Sequence, residues 1–312
     1  MISFVFPGQG SQVVGMCKDV YDSSPIARKT FQEADEALGF SISKMCFEGP
    51  EDDLRLTYNT QPAILTVSVA LARVLEQEGF KPEIAAGHSL GEYSALVAAG
   101  AIDFADAVRT VRKRGQFMQE AVPVGKGAMA AVMGLDDAKI IEICQKVEQE
   151  GGVVQAVNFN CPGQVVIAGS AEAVDKANVL LKEAGAKRAV LLPVSAPFHS
   201  SLMQPAAARL QEVLDSIEMK NATIPVVANV NAQKVTDAQE IKKLLVEQAA
   251  APVRWVECVQ TMQKEGVTLF VEVGPGKVLS GLSKKIASDI PIINVENVAS
   301  LEKALDYFKG GR

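Results

Sequence analysis

The segment Gly87-His88-Ser89-Leu90-Gly91 places a serine between two glycines at the spacing of a nucleophile elbow. In such an elbow a strand turns sharply into a helix. The flanking positions must lack side chains where the backbone passes close, and the serine is lifted into an exposed, strained position at the helix N-terminus. The N–H of the following residue then points at a developing oxyanion. A serine hydroxyl is a weak nucleophile at neutral pH and needs a base. The chain has two histidines, His88 and His199. His88 adjoins the serine and is expected to point away from it. That leaves His199, in Ser195-Ala196-Pro197-Phe198-His199-Ser200-Ser201, as the expected base. Enzymes of this kind usually orient the base with a carboxylate. Asp215 and Asp237 can be nominated, nothing singles out either, and a backbone carbonyl is the alternative.

A second group with chemical potential lies on the helix expected over 104–122. Its apolar positions Phe104, Ala107, Val111, Met118 and Val122 form one stripe. Arg114 falls about 50° from the stripe's centre, whereas Arg109, Arg112 and Lys113 lie more than about 100° away. The outer three read as a solvated face. An arginine leaning inward needs a partner, and its planar fork suits a carboxylate. In the loop Gly8-Gln9-Gly10-Ser11-Gln12 the glycines permit close backbone approach and Gln9 can donate an amide N–H. The loop has neither the GxGxxG spacing nor the lysine of a phosphate cradle.

These residues need elements to hold them. Residues 1–124 read as α/β: strand Ile2–Phe6, a helix over 61–78 with Pro62 in its first turn, strand Ile84–Ala86, then the elbow and a helix ending at Gly100. Residues 125–196 change rhythm. Strands over 128–133, 153–159, 164–168 and 189–194, with helices over 136–150 and 171–184, give the order βαββαβ of a ferredoxin-like unit. From residue 197 the α/β pattern resumes, with strands over 225–230, 269–273 and 290–295. The expected architecture is therefore one parallel sheet built from 1–124 and 197–312, with 125–196 inserted as a small subdomain. The tail Lys309-Gly310-Gly311-Arg312 is expected to fray.

Composition narrows the function classes. The 312 residues are 48% hydrophobic and 22% charged, enough for a large core without staples. The formal net charge of −6 advertises neither nucleic acid nor anionic lipid as a partner. Five scattered cysteines without a CxxC, together with two histidines, assemble no zinc set by spacing. The first strand lacks a basic n-region, and no apolar run reaches membrane-spanning length. A cytoplasmic protein with no membrane association, no metal and no resident cofactor is expected.

Several segments together resemble one family. Phe6-Pro7-Gly8-Gln9-Gly10-Ser11-Gln12, Thr60-Gln61-Pro62-Ala63, Gly87-His88-Ser89-Leu90-Gly91-Glu92 and Arg112-Lys113-Arg114-Gly115 are similar to segments of malonyl-CoA:acyl-carrier-protein transacylases of type II fatty acid synthesis. So are Asn158-Phe159-Asn160-Cys161-Pro162-Gly163-Gln164, Phe198-His199-Ser200 and Glu272-Val273-Gly274-Pro275-Gly276. The resemblance implies an α/β-hydrolase-like core carrying the ferredoxin-like insertion. It implies that Ser89 takes malonyl from coenzyme A as an ester, with His199 as base and then acid. Gln9 and the Leu90 N–H would form the oxyanion hole, and Arg114 would hold the malonyl carboxylate. The main-chain carbonyl of Gln248 would orient the histidine. His88, Met118, Asn160 and Phe198 would line the site, with Phe198 favouring malonyl over α-branched acyl groups. The partners implied are malonyl-CoA and acyl carrier protein, and the chain is expected to be a monomer. Lys81, Lys126, Lys187 and Arg188 are too scattered to nominate as a carrier-docking patch. Competing readings are an acyltransferase of a polyketide pathway, a thioesterase that passes the acyl group to water, and a non-catalytic carrier-binding subunit.

Overall fold

The computed structural model describes residues 1–194 and 196–310; Ser195, Gly311 and Arg312 lie outside the described residues. The strands are β1 Ile2–Phe6, β2 Ile84–Gly87, β3 Gly127–Met133, β4 Val154–Cys161, β5 Gln164–Ser170, β6 Arg188–Leu191, β7 Val226–Val227, β8 Lys234–Val235, β9 Leu269–Val273 and β10 Ile292–Val295. They form two sheets. The larger has the order β10-β9-β1-β2-β7-β8 and is parallel except for β8, which pairs antiparallel with β7 at one edge. The smaller has the order β4-β5-β3-β6 and is antiparallel throughout, with helices Asp137–Gln149 and Ala171–Glu183 as its crossovers. The chain enters the small sheet from the helix Phe104–Glu120 and afterwards returns to the large one at β7.

Side-chain alternation explains why the large sheet is buried on both faces. Phe4 and Phe6 of β1 join one apolar cluster with the helices Pro25–Leu38, Thr57–Gln77 and Phe104–Glu120. Val5, pointing the other way, joins Ile84, Ala86, Phe270 and Trp255 in a second cluster. A third, formed by Ala130, Val132, Val165 and Ile167 against the two crossover helices, is the core of the small sheet. Fully burying one large apolar side chain is worth about 1.5–3 kcal/mol. Exposed ion pairs such as Lys18–Asp22 and Arg55–Glu51 are worth about 1 kcal/mol or less each. Packing therefore holds the scaffold that positions the site.

Several sequence expectations shift. The helix over 61–78 begins earlier, at Thr57, so Pro62 lies inside it rather than in its first turn. The strand over 225–230 shrinks to two residues, and the antiparallel partner β8 carried no sequence signal. The strand over 189–194 ends at Leu191, because Pro193 cannot donate to the ladder. Four helices between Lys18 and Arg55, three of them short, went unread. Lys309 and Gly310, expected to fray, close the last helix, Val298–Gly310.

Candidate active site

The elbow forms where β2 ends. Phe6 and Gly87 are register partners, so the ends of β1 and β2 are level and the two following turns meet. A Cβ on Gly87 would stand 1.9 Å from the Gly91 carbonyl oxygen, and one on Gly91 would stand 2.1 Å from the Phe6 carbonyl oxygen. Both positions must be glycine for the helix Gly91–Ala98 to start this close to the sheet. Between them Ser89 takes φ +52°, in the left-handed region that a serine rarely occupies.

His199 is brought to Ser89 across 110 residues of sequence. Ser89 Oγ lies 2.7 Å from His199 Nε2, and His199 Nδ1–H donates to the Gln248 carbonyl at 2.8 Å. That second bond fixes the tautomer: Nδ1 carries the proton and Nε2 is free to accept the serine proton. Among the described residues no carboxylate takes the orienting place; neither Asp215 nor Asp237 touches the ring, and Asp237 instead caps the helix Ala238–Gln248. His199 is 3% exposed and also left-handed, with φ +64°. Burial, with the Arg114 charge second, pushes its imidazole down to about 3, so it is neutral at physiological pH.

Arg114 is 2% exposed, and its hydrogen-bond acceptors among the described residues are all neutral. Nη1 donates to Gln61 Oε1 at 2.6 Å, while Nη2 donates to Gln248 Oε1 at 2.9 Å and to Ser89 Oγ at 3.3 Å. The guanidinium also stands over the Tyr93 ring, 5.5 Å from its centroid. A buried cation without a bound anion is a ready receptor for a carboxylate. Of the outer charges, Arg109 and Lys113 are exposed. Arg112 departs from the solvated-face reading: it donates to the Tyr58 carbonyl at 3.0 Å and packs between the Phe40 and Tyr58 rings. The stem of an arginine carries it into such gaps even from a polar face.

A cavity of about 410 Å³ opens over these groups. Gln9, Ser89, Leu90, Arg114 and His199 line its floor; His88, Met118 and Phe198 also line it. The Leu90 N–H makes no hydrogen bond among the described residues, and the Gln9 side-chain oxygen accepts from Thr57 Oγ1 at 2.7 Å, which leaves the Gln9 amide hydrogens available. Asn160 stands back from the cavity. Its Oδ1 accepts from His88 Nε2 at 2.7 Å, while Asn158 lines the cavity instead. The irregular pairing of β4 near Ala156 and Phe159 shifts which of its side chains face inward. Arg55 and Glu51 pair with each other at 2.9 Å at the rim.

Sequence reasoning missed four participants: Gln61, Asn229, Glu92 and the side chain of Gln248. Asn229 Oδ1 accepts the Ser89 N–H at 2.8 Å, and its Nδ2 donates to the Gly87 carbonyl at 2.7 Å, bracing the elbow from both sides. Glu92, 2% exposed, accepts from the Asn229 N–H at 3.2 Å and from Gln248 Nε2 at 2.8 Å. Burial pushes its carboxyl up to about 7. Two signals could have found such residues. Gln61 belongs to a polar run, Thr57 to Gln61, at the head of an otherwise apolar buried helix. Asn229 follows the carboxyl end of β7, where ligand sites of parallel sheets gather.

Residues 3–304 match the acyl transferase domain family. A malonyl CoA-acyl carrier protein transacylase of Bacillus subtilis is 52% identical over 308 residues, covering 99% of this chain and 97% of the relative. This chain belongs to the malonyl-CoA:acyl-carrier-protein transacylase family. Among solved members, an acyl carrier protein S-malonyltransferase from Vibrio cholerae superposes with TM-score 0.95 at 51% identity, covering 97% of this chain and 99% of the other. A malonyl-transacylase solved in complex with its holo type II polyketide-synthase acyl carrier protein reaches TM-score 0.95 at 48% identity, covering 98% of this chain and 99% of the other. Family members at this likeness share the whole fold, both sheets included. Among the described residues no helix is long and apolar enough to cross a membrane, and no group of three metal-binding side chains assembles.

Proposed function

We propose that this acyltransferase carries the malonyl group from malonyl-CoA to the phosphopantetheine thiol of acyl carrier protein, supplying malonyl carrier protein for fatty acid synthesis. The single observation that carries the reading is the placement of a buried guanidinium 3.3 Å from the serine nucleophile that His199 engages at 2.7 Å. Malonyl has one methylene between its thioester carbonyl and its carboxylate. A group bound by Arg114 through the carboxylate therefore presents the carbonyl to Ser89.

In the first half-reaction Ser89 Oγ attacks the thioester carbonyl carbon and its proton passes to His199 Nε2. The oxyanion is met by the Leu90 N–H and the Gln9 amide. The C–S bond breaks, and the imidazolium returns the proton to the departing coenzyme A sulfur. In the second half the carrier thiol gives its proton to His199, its sulfur attacks the malonyl-Ser89 carbonyl, and the serine leaves reprotonated. The Gln248 carbonyl holds the ring through both halves. The nucleophile, base and oxyanion donors all come from the chain, so the step calls for no resident cofactor; coenzyme A enters as a substrate moiety. His88, Met118, Asn158 and Phe198 shape the acyl space, with Asn160 acting through His88. We assign 1–124 and 197–312 to the catalytic subdomain and 125–196 to the small one. A cytoplasmic monomer completes the proposal, and light scattering on the purified chain checks the monomer.

Intact-protein mass after mixing with malonyl-CoA, then with holo carrier protein, tests the reading. A malonyl adduct on Ser89 that moves to the carrier thiol is the expected outcome. An adduct lost equally fast to water with and without carrier marks a thioesterase, and no adduct overturns the substrate.

A further inference from the structure

Glu92 is a buried carboxylate that the mechanism above does not use, and it sits one helical turn beyond the nucleophile. Its backbone N–H donates to the Ser89 carbonyl at 3.0 Å, and among the described residues its side chain makes no hydrogen bond to Ser89, His199 or Arg114. Its Oε2 accepts from Gln248 Nε2 at 2.8 Å, and the opposite end of that same amide, Oε1, accepts from Arg114 Nη2 at 2.9 Å. A glutamine amide has two ends of nearly equal size and opposite hydrogen-bonding sense. Turned the other way, Gln248 would set its NH₂ donors against the guanidinium donors. It would also set its oxygen against the Glu92 carboxyl and the Asn229 Oδ1, 3.2 Å from Nε2. Glu92 thus opposes the wrong orientation of the amide, together with the Ser89 carbonyl, which accepts from the same Nε2 at 2.9 Å.

The consequence concerns substrate choice. A carboxylate placed directly on Arg114 would occupy the fork that the malonyl group needs. A neutral amide oxygen anchors the same fork without neutralising it. We infer that Glu92 is a positioning residue for dicarboxylic acyl selectivity: through the side chain of Gln248 it holds Arg114 in place while leaving the guanidinium charge open to a substrate carboxylate. The inference rests on the reading of Arg114 as the malonyl clamp. The main-chain carbonyl of Gln248, which orients His199, is a separate function of the same residue and survives side-chain substitution.

The readout is the ratio of kcat/KM for malonyl-CoA to that for acetyl-CoA, each with holo carrier protein, on enzyme counted by active-site titration. Glu92→Ala removes the acceptor, and the ratio falls about 10- to 100-fold, the loss expected when a buried charge-assisted contact is undone. Glu92→Gln retains an oxygen that can accept from Gln248 Nε2 and the Asn229 N–H, and it keeps the wild-type ratio within about threefold. In a Gln248→Leu background the Glu92→Ala change leaves the ratio where Gln248→Leu alone put it, because the two act through one amide. An unchanged ratio in Glu92→Ala overturns the inference, since activity lost equally for both substrates is a general structural effect. If Glu92→Ala does not fold, Glu92→Gln decides alone: a ratio lost there shows that charge, not the acceptor, matters, and the amide route is wrong. Arg114→Ala separates the two levels. A ratio kept in Arg114→Ala defeats the clamp itself, whereas a ratio lost there but kept in Glu92→Ala defeats only the role of Glu92.

Discussion

The two walls of the cavity are built on different terms. The large-sheet wall carries the polar groups of the floor: Ser89 and Leu90 after β2, Gln9 after β1, Arg114 from a packed helix, and His199 from a segment that follows the small sheet, with Gln248 bonded behind Arg114 and His199. These groups are mostly buried, bonded to one another, and in two cases held in left-handed backbone. The small-sheet wall offers Met129, Leu192, Pro193 and Val194, apolar apart from Asn158, with Phe198 packed against it. One wall is over-determined by hydrogen bonds; the other is a surface of contacts. The difference teaches that geometry for bond making is fixed on the parallel sheet, while the antiparallel sheet sets the room available to the acyl group and its arm. Substitutions on the first wall should act on the chemical step, and those on the second on binding.

The largest effect belongs to Ser89→Ala. It should leave no covalent adduct in the mass spectrum and lower transfer by about 10⁴-fold or more, because the nucleophile and its base act as a unit. Any malonyl adduct elsewhere in the chain would break the contrast between the walls. Arg114→Ala should come next, reducing kcat/KM for malonyl-CoA about 100-fold or more while acetyl transfer is maintained or gains. Equal loss for both substrates would make Arg114 a structural cation and remove selectivity from the large-sheet wall. On the opposite side, Met129→Ala should raise KM for malonyl-CoA about fivefold through lost apolar contact, with kcat nearly unchanged. A fall in kcat as large as that of Arg114→Ala would mean that the small sheet also positions the reacting groups.

Stability against pH gives the smallest and sharpest reading of the buried wall. The His199 imidazole lies below its ordinary 6.5, at about 3, so the unfolded chain binds that proton first on acidification. Its contribution to stability is complete above pH 6.5 and is lost as pH falls toward 3. Glu92 works with the opposite sign: raised from 4.5 to about 7, its contribution is complete below pH 4.5 and is lost as pH rises through 7. Urea unfolding between pH 4 and 8 should therefore show a shallower acid-side decline in His199→Gln than in the parent. Glu92→Gln should lose the decline between pH 5 and 8. Identical pH slopes in all three proteins would mean that neither group is held in an unusual protonation state by burial.

Legibility in the sequence differed sharply between residues. Ser89 was readable because an elbow is a local object: Gly87 and Gly91 lie within two positions of it, and the sterics that exclude a Cβ there act over the same short span. His199 followed from scarcity, since only two histidines exist and one adjoins the serine. The inward lean of Arg114 was written in the helical period of its neighbours and its fork already suited a carboxylate, although the malonyl identity of that carboxylate came only from family resemblance. Gln248 likewise came from resemblance, and only for its carbonyl. Glu92 left no functional signal, Gln61 and Asn229 left only a polar helix start and a place after β7, and Asn160 was placed on the cavity when an irregular pairing in β4 turns it behind His88.

By itself the sequence determined the alternating strands, the two rhythms that separate the sheets, the elbow and the small set of groups that could do acid–base work. These are properties of a few consecutive residues, decided by backbone sterics and by the periods of strand and helix. The tertiary structure alone decided which distant side chains share hydrogen bonds. The contacts of Ser89 with Arg114, His199, Asn229 and Gln248 span 25, 110, 140 and 159 residues. Their distances depend on strand order and helix packing in the assembled core, and no local pattern encodes a hydrogen bond between segments that only the folded sheet brings together.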